Sequence, residues 1–338
     1  MSGKPGLRDV ARVAKVSLST ASRALAQPGL VSPEVRARIE QVCVELRYIP
    51  NRTAKRLSVD RSDTIGVIVP SIANPLFAPA IDGVRTVLDA RNFGMLINSA
   101  ELDPLRELKQ VRTFLEHGVD AILTLMPVHD EQLFELLEYS KIPAVFINSA
   151  RSETTHPFVE HDNFGAMRAM AQKVIDAGHR EIAIISGPRS STPIIFERTT
   201  AALETLAGSG VQPSLDWMIE CDYDPVPARA AVRALLTSGR VPTALVCTGD
   251  QHAAAAVIEA QALGLRVPED ISVTGCNDVP LALLCEPQLT TVRLPYRELG
   301  ETACRLALEM LEGNTPQRRT LLPYEVIERG SLGRPRTA

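Results

Sequence analysis

Several features that this sequence lacks exclude whole classes of protein. Aromatic residues make up only 4% of the 338 residues, with a single tryptophan, and no apolar run approaches the ~18 residues that a membrane-spanning helix needs. The amino-terminal MSGKPGLRDV also has no apolar stretch of the kind found in secretory signals. We therefore expect a protein that stays in the cytoplasm and has no membrane partner.

The sequence likewise lacks the patterns of metal sites and of common doubly wound enzymes. The six cysteines form no CxxC pair, and no histidine stands at zinc-ligand spacing, so we interpret the cysteines as reduced, mostly buried thiols. The motifs GxxxxGK[ST], GxGxxG and GxSxG are missing. We expect no catalytic residue, no metal and no cofactor, and we interpret His179, which precedes an expected strand, as structural.

The charge is distributed unevenly along the chain. Residues 1–62 contain 12 Lys and Arg against 5 Asp and Glu, whereas the remainder contains 24 basic against 35 acidic residues. A basic head on an acidic body indicates a polyanion as the partner of the head alone.

The amino-terminal segment has the pattern of three short helices. Apolar residues recur at helical spacing from Leu7 to Ala14. A second helix is expected from the N-cap Ser17 to about Leu25, and a third from Pro33 to about Arg47. Two short helices joined as closely as the first two are typical of a helix-turn-helix.

From Thr64 onwards, apolar strands alternate with longer amphipathic helices, which predicts parallel sheets covered on both faces. The expected strands begin with TIGVIVP and continue at Gly94–Asn98, Ala121–Leu125, Ala144–Ile147, Glu181–Ser186, Ala244–Cys247, Ile271–Gly275 and Thr290–Leu294. The expected helices include Leu105–His117, Phe164–Ala177, Ala228–Ser238 and Ala253–Leu263. About 275 residues of this kind would form two doubly wound lobes.

Several motifs in a fixed order resemble the lactose and galactose repressor family along the whole chain. They are GLRDVARVAKVSLSTASRAL, LVSPEVRARIEQVCVELRYIPNRTAKRL, TIGVIVPSIANPLFA, HDNFGAM, AGHREIAIISGP, PTALVCTGDQHAAA, GLRVPEDISVTGCNDVPLA and PQLTTVRLP. The resemblance implies an all-α helix-turn-helix headpiece and an α/β core of two doubly wound, parallel-sheet lobes, like that of periplasmic sugar-binding proteins. It further implies a transcription regulator, expected to be a repressor, whose affinity for operator DNA is controlled by a small molecule bound between the lobes.

The resemblance also gives domain limits. They are residues 1–50 for the DNA-binding domain, 51–62 for a hinge helix and linker, and 63–338 for the effector-binding and dimerisation core. Within the core, the N-lobe would hold about 63–161 and 292–323, and the C-lobe about 162–291 and 324–335. Three connections should cross between the lobes, near Ser149–Asp162, near Leu283–Thr290 and near the C-terminus.

Contacts with the major groove are implied for the second helix. The residues at the matching positions are Ser17, Leu18, Ser19, Ser22 and Arg23. Leu18 suits a thymine methyl, Ser19 offers a hydroxyl, Arg23 suits guanine, and the other two serines would hold phosphates. The alternative for Ser17 and Ser19 is helix capping without DNA. Lys15 stands where the family commonly has glycine, and Ala26 where it often has asparagine.

A second DNA contact is implied for the segment that resembles the family's hinge helix. Its residues are Asn51, Arg52, Lys55, Arg56 and Leu57. Leu57 would enter the minor groove as an apolar wedge while the basic residues neutralise phosphates. The alternative is that Leu57 only packs and the basic residues form a solvated linker.

An effector cleft is expected beyond the carboxyl ends of the strands. The family pattern selects Phe77, Asp162, Asn163, Arg198, Tyr223, Asn277 and Asp278. Aromatic rings with amide, carboxylate and guanidinium groups suit a carbohydrate-like effector. An anion bound by Arg189 and Arg198, with Ser190, Ser191 and Thr192 between them, is an alternative, as is a flexible surface loop. Asn277 stands where the family usually has aspartate, Ala201 where it commonly has glycine, and we interpret Asp250 as a helix cap.

The expected partners are a pseudo-palindromic, double-stranded operator, a small-molecule effector and a second copy of the chain. A homodimer would form through helices near Ile81–Ala90 and Leu105–Leu115. The C-terminus contains no leucine heptad that could build a further helical bundle, so we expect a dimer and not a tetramer. Both inducers and corepressors occur in the family, so the sequence is compatible with either sign of control. The rival function is a transporter-type solute-binding protein, which would share the core but not residues 1–62.

Overall fold

The computed structural model describes residues 5–26, 28–49, 61–148, 155–212 and 214–336. Residue contacts divide the chain into two units, one of residues 1–63 with 118–120 and one of residues 64–117 and 121–338. Among the helices in the described ranges, none combines the length and apolar character needed to span a bilayer. The described part of the first unit contains helices and no strand, whereas the second unit is α/β.

The first unit forms the three helices that the sequence predicts, each ending within one or two residues of the expected position. They are α1 (Leu7–Val13), α2 (Leu18–Ala26) and α3 (Pro33–Leu46), with a 3-10 turn at Pro28–Leu30. Their apolar faces meet in a small core of Val10, Ala14, Ala24, Ile39, Val42 and Cys43. The helical spacing of these residues places them on one side of each helix, which is why the segment folds around them.

The turn between α1 and α2 contains a strained residue. Lys15 has a φ of 53°, in the left-handed region that costs most side chains about 1–2 kcal/mol. Glycine adopts this conformation freely. This is a physical reason for the glycine that the resembled family commonly has at this position.

The second unit begins at Thr64 and alternates strands with helices. Its strands are β1 (Thr64–Val69), β2 (Gly94–Ser99), β3 (Ala121–Thr124), β4 (Ala144–Ile147), β5 (Phe158–His161), β6 (Ile182–Ser186), β7 (Met218–Glu220), β8 (Ala244–Cys247), β9 (Ser272–Thr274), β10 (Thr291–Arg293), β11 (Arg319–Leu322) and β12 (Glu325–Ile327). Its helices are α4 (Ala78–Ala90), α5 (Pro104–His117), α6 (Glu131–Ser140), α7 (Asn163–Asp176), α8 (Pro193–Gly208), α9 (Pro225–Leu236), α10 (Asp250–Ala262), α11 (Leu281–Leu284) and α12 (Tyr296–Leu311). The eight expected strands are confirmed, while β5, β7, β11 and β12 were not predicted.

Two parallel sheets define two lobes in this unit. The first has the order β11-β5-β4-β3-β1-β2 and the second the order β7-β6-β8-β9, with every pairing parallel. The central strands are almost continuously buried, as expected for parallel strands covered on both faces. The predicted fold class is confirmed.

Three connections join the lobes. The first runs from β5 into α7 and the third from β11 into β12, which pairs antiparallel with β10. The second lies between β10 and α12, because α12 packs against α4 and the first sheet. The sequence analysis expected this connection a few residues earlier, before β10.

Close packing of α4 and α12 depends on small residues. A Cβ on Gly300 would overlap the carbonyl oxygen of Ala80, and a Cβ on Gly83 would overlap that of Arg297. The two helix backbones therefore approach more closely than larger side chains allow. The six cysteines are all free and five of them are buried, as predicted.

Candidate functional site

Helix α2 has one face open to solvent. The exposed residues are those singled out for DNA contact: Ser17, Leu18, Ser19, Ser22 and Arg23. On the opposite face Ala21 and Ala24 are 0% and 5% exposed, whereas Leu18 is 45% exposed. Among the residues that the structure describes, none forms an ion pair with Arg23. An exposed leucine and an arginine without an ion-pair partner on the same helix are suited to reading base edges.

Ser17 caps helix α2, which was the alternative that the sequence left open. Its hydroxyl oxygen accepts a hydrogen bond from the backbone N–H of Thr20 at 3.0 Å and lies 2.8 Å from the hydroxyl oxygen of Ser19. This arrangement fixes the start of the helix. The O–H of the same side chain can still donate to a phosphate oxygen, so capping and DNA contact are compatible.

The expected hinge helix lies outside the described residues. Asn51, Arg52, Lys55, Arg56 and Leu57 all fall in the segment 50–60. Their assignment to the minor groove stays a prediction.

The second unit contains a cavity of about 430 Å³ where the strands of both sheets end. Its wall includes the residues that follow β1 to β4 in one lobe and β6 to β9 in the other, as expected for doubly wound lobes. Four predicted effector residues line it: Phe77, Arg198, Tyr223 and Asn277. Asp162, Asn163 and Asp278 are absent from its described lining.

Arg198 is the buried cation of the cavity wall and is only 3% exposed. It lies on α8, where Nε donates to Asn163 Oδ1 and Nη1 donates to the backbone carbonyl of Thr248, both at 2.9 Å. The hydroxyl of Tyr296 lies beside the same guanidinium. Asn163 thus acts on the site indirectly, by orienting Arg198.

Aromatic rings form part of the cavity wall. Burial raises the pKa of Tyr223 to about 12, so this hydroxyl stays protonated and can donate. Tyr223 stacks on His252 at a centroid distance of 4.4 Å. Gly187 and Gly249 leave room for the ring, since a Cβ on either would lie 2.7 or 2.9 Å from its carbon atoms.

Two of the predicted carboxylates contact other groups of the protein and do not line the cavity. Asp162 accepts a hydrogen bond from the backbone N–H of Gly165 at 2.7 Å and caps α7. Asp278 pairs with Arg293 at 2.8 Å and with Arg329 at 2.7 Å. Both carboxylates make these protein contacts, and neither belongs to the described lining of the cavity.

Asp250 does not cap its own helix, so that interpretation was wrong. The N-cap of α10 is Gly249, and the buried carboxylate of Asp250 instead accepts from the backbone N–H of Val279 at 2.8 Å and from the hydroxyl of Thr291 at 2.6 Å. Burial raises the pKa of Asp250 to about 7, although both hydrogen bonds lower it. The residue fastens the loop that carries Asn277 to strand β10.

Several polar residues of the wall were not predicted from the sequence. They include Asn148, Gln251 and Tyr296. Asn148 directly follows β4, and Gln251 follows β8 by a few residues, so position at the carboxyl end of a strand would have indicated both. Gln251 Oε1 and Asn277 Oδ1 are buried without a hydrogen-bond partner among the described residues. Buried acceptors of this kind are suited to a ligand that donates hydrogen bonds.

In the loop after β6, several groups of the alternative anion site contact the protein itself. Arg189 pairs with Glu220 at 3.0 Å, Ser191 donates to the backbone carbonyl of Pro188, and the hydroxyl of Thr192 caps α8. Of the two arginines in that group, only Arg198 has no carboxylate partner among the described residues.

Comparison with known proteins matches both parts of the chain. Residues 6–51 match the family described as bacterial regulatory proteins, lacI family, and residues 171–332 match the periplasmic binding protein-like domain. A curated relative is the HTH-type transcriptional repressor PurR of Aliivibrio fischeri, 30% identical over 96% of this chain and 98% of that protein. Another is the repressor CytR of Escherichia coli, 32% identical over 96% of this chain and 95% of that protein.

Solved structures agree with this assignment. The lac repressor dimer bound to operator and the anti-inducer ONPF superposes with a TM-score of 0.87 and 26% identity, covering 98% of this chain and 100% of that one. The complex of the regulator CelR with cellobiose has a TM-score of 0.71 and 28% identity, covering 97% and 99%. The curated relatives are transcriptional repressors and not enzymes, and their match includes the headpiece that a solute-binding protein would not have. The chain belongs to the lacI family of bacterial regulatory proteins.

Proposed function

We propose that this protein is a cytoplasmic, homodimeric repressor that binds a pseudo-palindromic operator. Its affinity for the operator would rise or fall when a carbohydrate-like effector occupies the cleft. The observation that carries the proposal is the exposed face of α2 in the first unit, in a chain whose second unit contains a ligand-sized cavity. The domain limits proposed for these roles are 1–50, 51–62 and 63–338.

DNA readout would use the residues that α2 exposes. Leu18 offers an apolar contact to a thymine methyl, Ser19 a hydroxyl, and Arg23 a bidentate fork for guanine. Ser17 and Ser22 would bind phosphates, which position the headpiece without carrying sequence information. Asn51, Arg52, Lys55, Arg56 and Leu57 would order on the operator and enter the minor groove, since so short a helix is marginal in water by itself.

The chemistry of the cleft supports a ligand with hydroxyl groups. Phe77 and Tyr223 provide ring faces for the apolar side of a sugar. The unpartnered acceptors on Gln251 and Asn277 require donors, and a hydroxyl can donate to them. Asn163, Asp162 and Asp278 would contribute by holding the wall in place.

A dimer would form through helices of the core. Leu105 on α5 is 62% exposed, so this helix presents an apolar side chain that a second chain would cover. Helix α4 is the other candidate face. A two-fold dimer presents two headpieces, which matches the symmetry of a palindromic operator.

The first test measures DNA binding by fluorescence anisotropy, with an operator selected from a palindromic DNA library. The whole chain should bind it specifically, and a chain without residues 1–62 should not. Equal binding by the two would refute the proposal.

Arg23→Ala tests the readout by α2. It should reduce discrimination between the selected operator and base-pair variants by about 1–3 kcal/mol. Arg12→Ala is the matched control, because Arg12 is an exposed headpiece arginine that pairs with Asp9. It should leave the discrimination unchanged. If both substitutions weaken all DNA sequences equally, α2 does not read bases.

Leu57→Ala tests the hinge. A wedge is used only where the duplex is bent at a specific step. The substitution should therefore weaken specific operator binding far more than binding to unrelated DNA. An equal loss on both would remove the wedge from the proposal.

A further inference from the structure

The cavity wall has an unbalanced charge. Its charged lining residues are Glu101, Arg198 and Asp222. Glu101 pairs with Arg106 on the protein itself, and Asp222 is exposed at the rim. The charge that lies deep in the wall is therefore the positive charge of Arg198.

Arg198 has only neutral acceptors from the protein. Its bonds go to an amide oxygen of Asn163 and a backbone carbonyl of Thr248, and no carboxylate of the described residues forms an ion pair with it. Of the five N–H groups of a guanidinium, these use two and the Tyr296 hydroxyl at most a third. Two N–H groups are left for a ligand. A buried charge normally has a counter-ion, because desolvation without one is costly.

Nearby acidic groups do not supply that counter-ion. Asp162, Asp250 and Asp278 are each engaged by other groups of the protein. Glu197 is next to Arg198 in the chain, but the described residues show no ion pair between the two side chains, and burial raises the pKa of the Glu197 carboxyl. Burial, together with the charge of Arg198, lowers the pKa of His161 to about 3, so this neighbour is neutral.

We propose that the effector is an acidic carbohydrate, a sugar carrying a carboxylate or a phosphate, and that Arg198 binds its anionic group. The inference rests on the proposed function, in which the cleft holds the effector. The acidic end would lie at Arg198, hydroxyl groups would donate to Asn277 Oδ1 and Gln251 Oε1, and the apolar side would face Phe77 and Tyr223. A cavity of about 430 Å³ has room for a monosaccharide acid.

The experiment compares each neutral sugar with its acidic derivatives. Glucose and galactose are measured against glucuronate, galacturonate and the two hexose 6-phosphates, by calorimetry and thermal shift on the full chain. The buffer contains chloride and no phosphate or sulfate, which would compete for Arg198. At least one acid should bind on the order of 10- to 100-fold tighter than its parent, as a charge-assisted pair allows. The uronate and phosphate arms decide which anion is recognised.

Three variants assign the preference to the cavity wall. Arg198→Gln removes the charge, and Asn277→Asp adds a negative charge to the same wall with little change of shape. Both should reduce the acid preference to within a few-fold of unity. Arg189→Gln is the matched control, because Arg189 is already paired with Glu220, and it should keep the full preference.

Several outcomes would overturn the inference. A neutral sugar that binds as tightly as its acid would overturn the inference. If that sugar also changes operator binding, the proposed function remains supported, but recognition of an anion by Arg198 does not. An acid preference that survives in Arg198→Gln would show that another group recognises the anion. A preparation that binds operator but none of these acids would exclude this class of effector. A preparation that binds no operator sequence would instead refute the proposed function.

Discussion

Replacement of Asp250 by asparagine tests a buried titrating carboxylate of the core. The side chain is 0% exposed and accepts hydrogen bonds from Val279 and Thr291. Asparagine has nearly the same shape: its Oδ1 can accept from Val279, and its Nδ2 can donate to the hydroxyl oxygen of Thr291. The substitution therefore removes the titration while it keeps the packing.

The expected effect depends on pH with a definite sign. Burial raises the pKa of Asp250 from 3.8 to about 7. Between these values the folded protein keeps a proton that the unfolded chain releases, so the stabilisation from this group is complete below the lower pKa and is lost as the pH rises through the higher one. The loss is about 1.4 kcal/mol per pH unit, or about 4 kcal/mol over the whole interval.

Urea unfolding at a series of pH values measures this directly, with the same core transition followed in both proteins. Relative to the wild type, the free energy of unfolding of Asp250→Asn should rise by about 2–3 kcal/mol between pH 5 and pH 7. At neutral pH the variant should be as stable as the wild type or more so. A stability difference that stays constant across this range would refute the argument that Asp250 holds a proton in the folded core.

Two further predictions concern packing and a buried ion-pair network. Gly300→Ala should lower the free energy of unfolding by about 1–3 kcal/mol, because the new Cβ overlaps the Ala80 carbonyl oxygen. Gly208→Ala is the control: the space there is open, and the substitution should raise the free energy of unfolding by about 0.5–1 kcal/mol. Equal effects of the two substitutions in urea unfolding would contradict the close approach of the helices. Asp278→Asn should lower the free energy of unfolding by about 3 kcal/mol, since it leaves Arg329, whose side chain is 12% exposed, without a counter-ion. Asp89→Asn removes the exposed ion pair with Arg85 and should lower the free energy of unfolding by less than about 1 kcal/mol.

The regular part of the fold was predictable because its signals are local. Helices α1 to α3 follow from apolar spacing and from Pro33 at the start of α3, and the buried strands follow from uninterrupted apolar runs. The unpredicted strands lack that signal. Strand β5 ends in Glu160 and His161, and β11 lies at a sheet edge with alternate residues exposed. Pairing with a neighbouring strand stabilises them, and a single sequence does not reveal that neighbour.

The roles of the carboxylates were harder to predict because they depend on distant partners. Asp162 precedes a glycine by three residues at the start of a helix, so its capping role had a local signal that the family pattern outweighed. Asp250 also stands at a helix start, yet its partners Val279 and Thr291 are 29 and 41 residues away. No spacing rule within one helix identifies such contacts.

These distant contacts give the cleft a mechanical connection to the lobe boundary. Asn277 lines the cavity, and its backbone N–H donates to the carbonyl of Val292 on β10 at 2.8 Å. The next residue, Asp278, is joined by ion pairs to Arg293 on the same strand and to Arg329 after β12. Strands β10 and β12 carry two of the three connections between the lobes. A ligand that displaces Asn277 would therefore act directly on two of the segments that join the lobes. These are segments in which the backbone would change if the lobes changed their orientation.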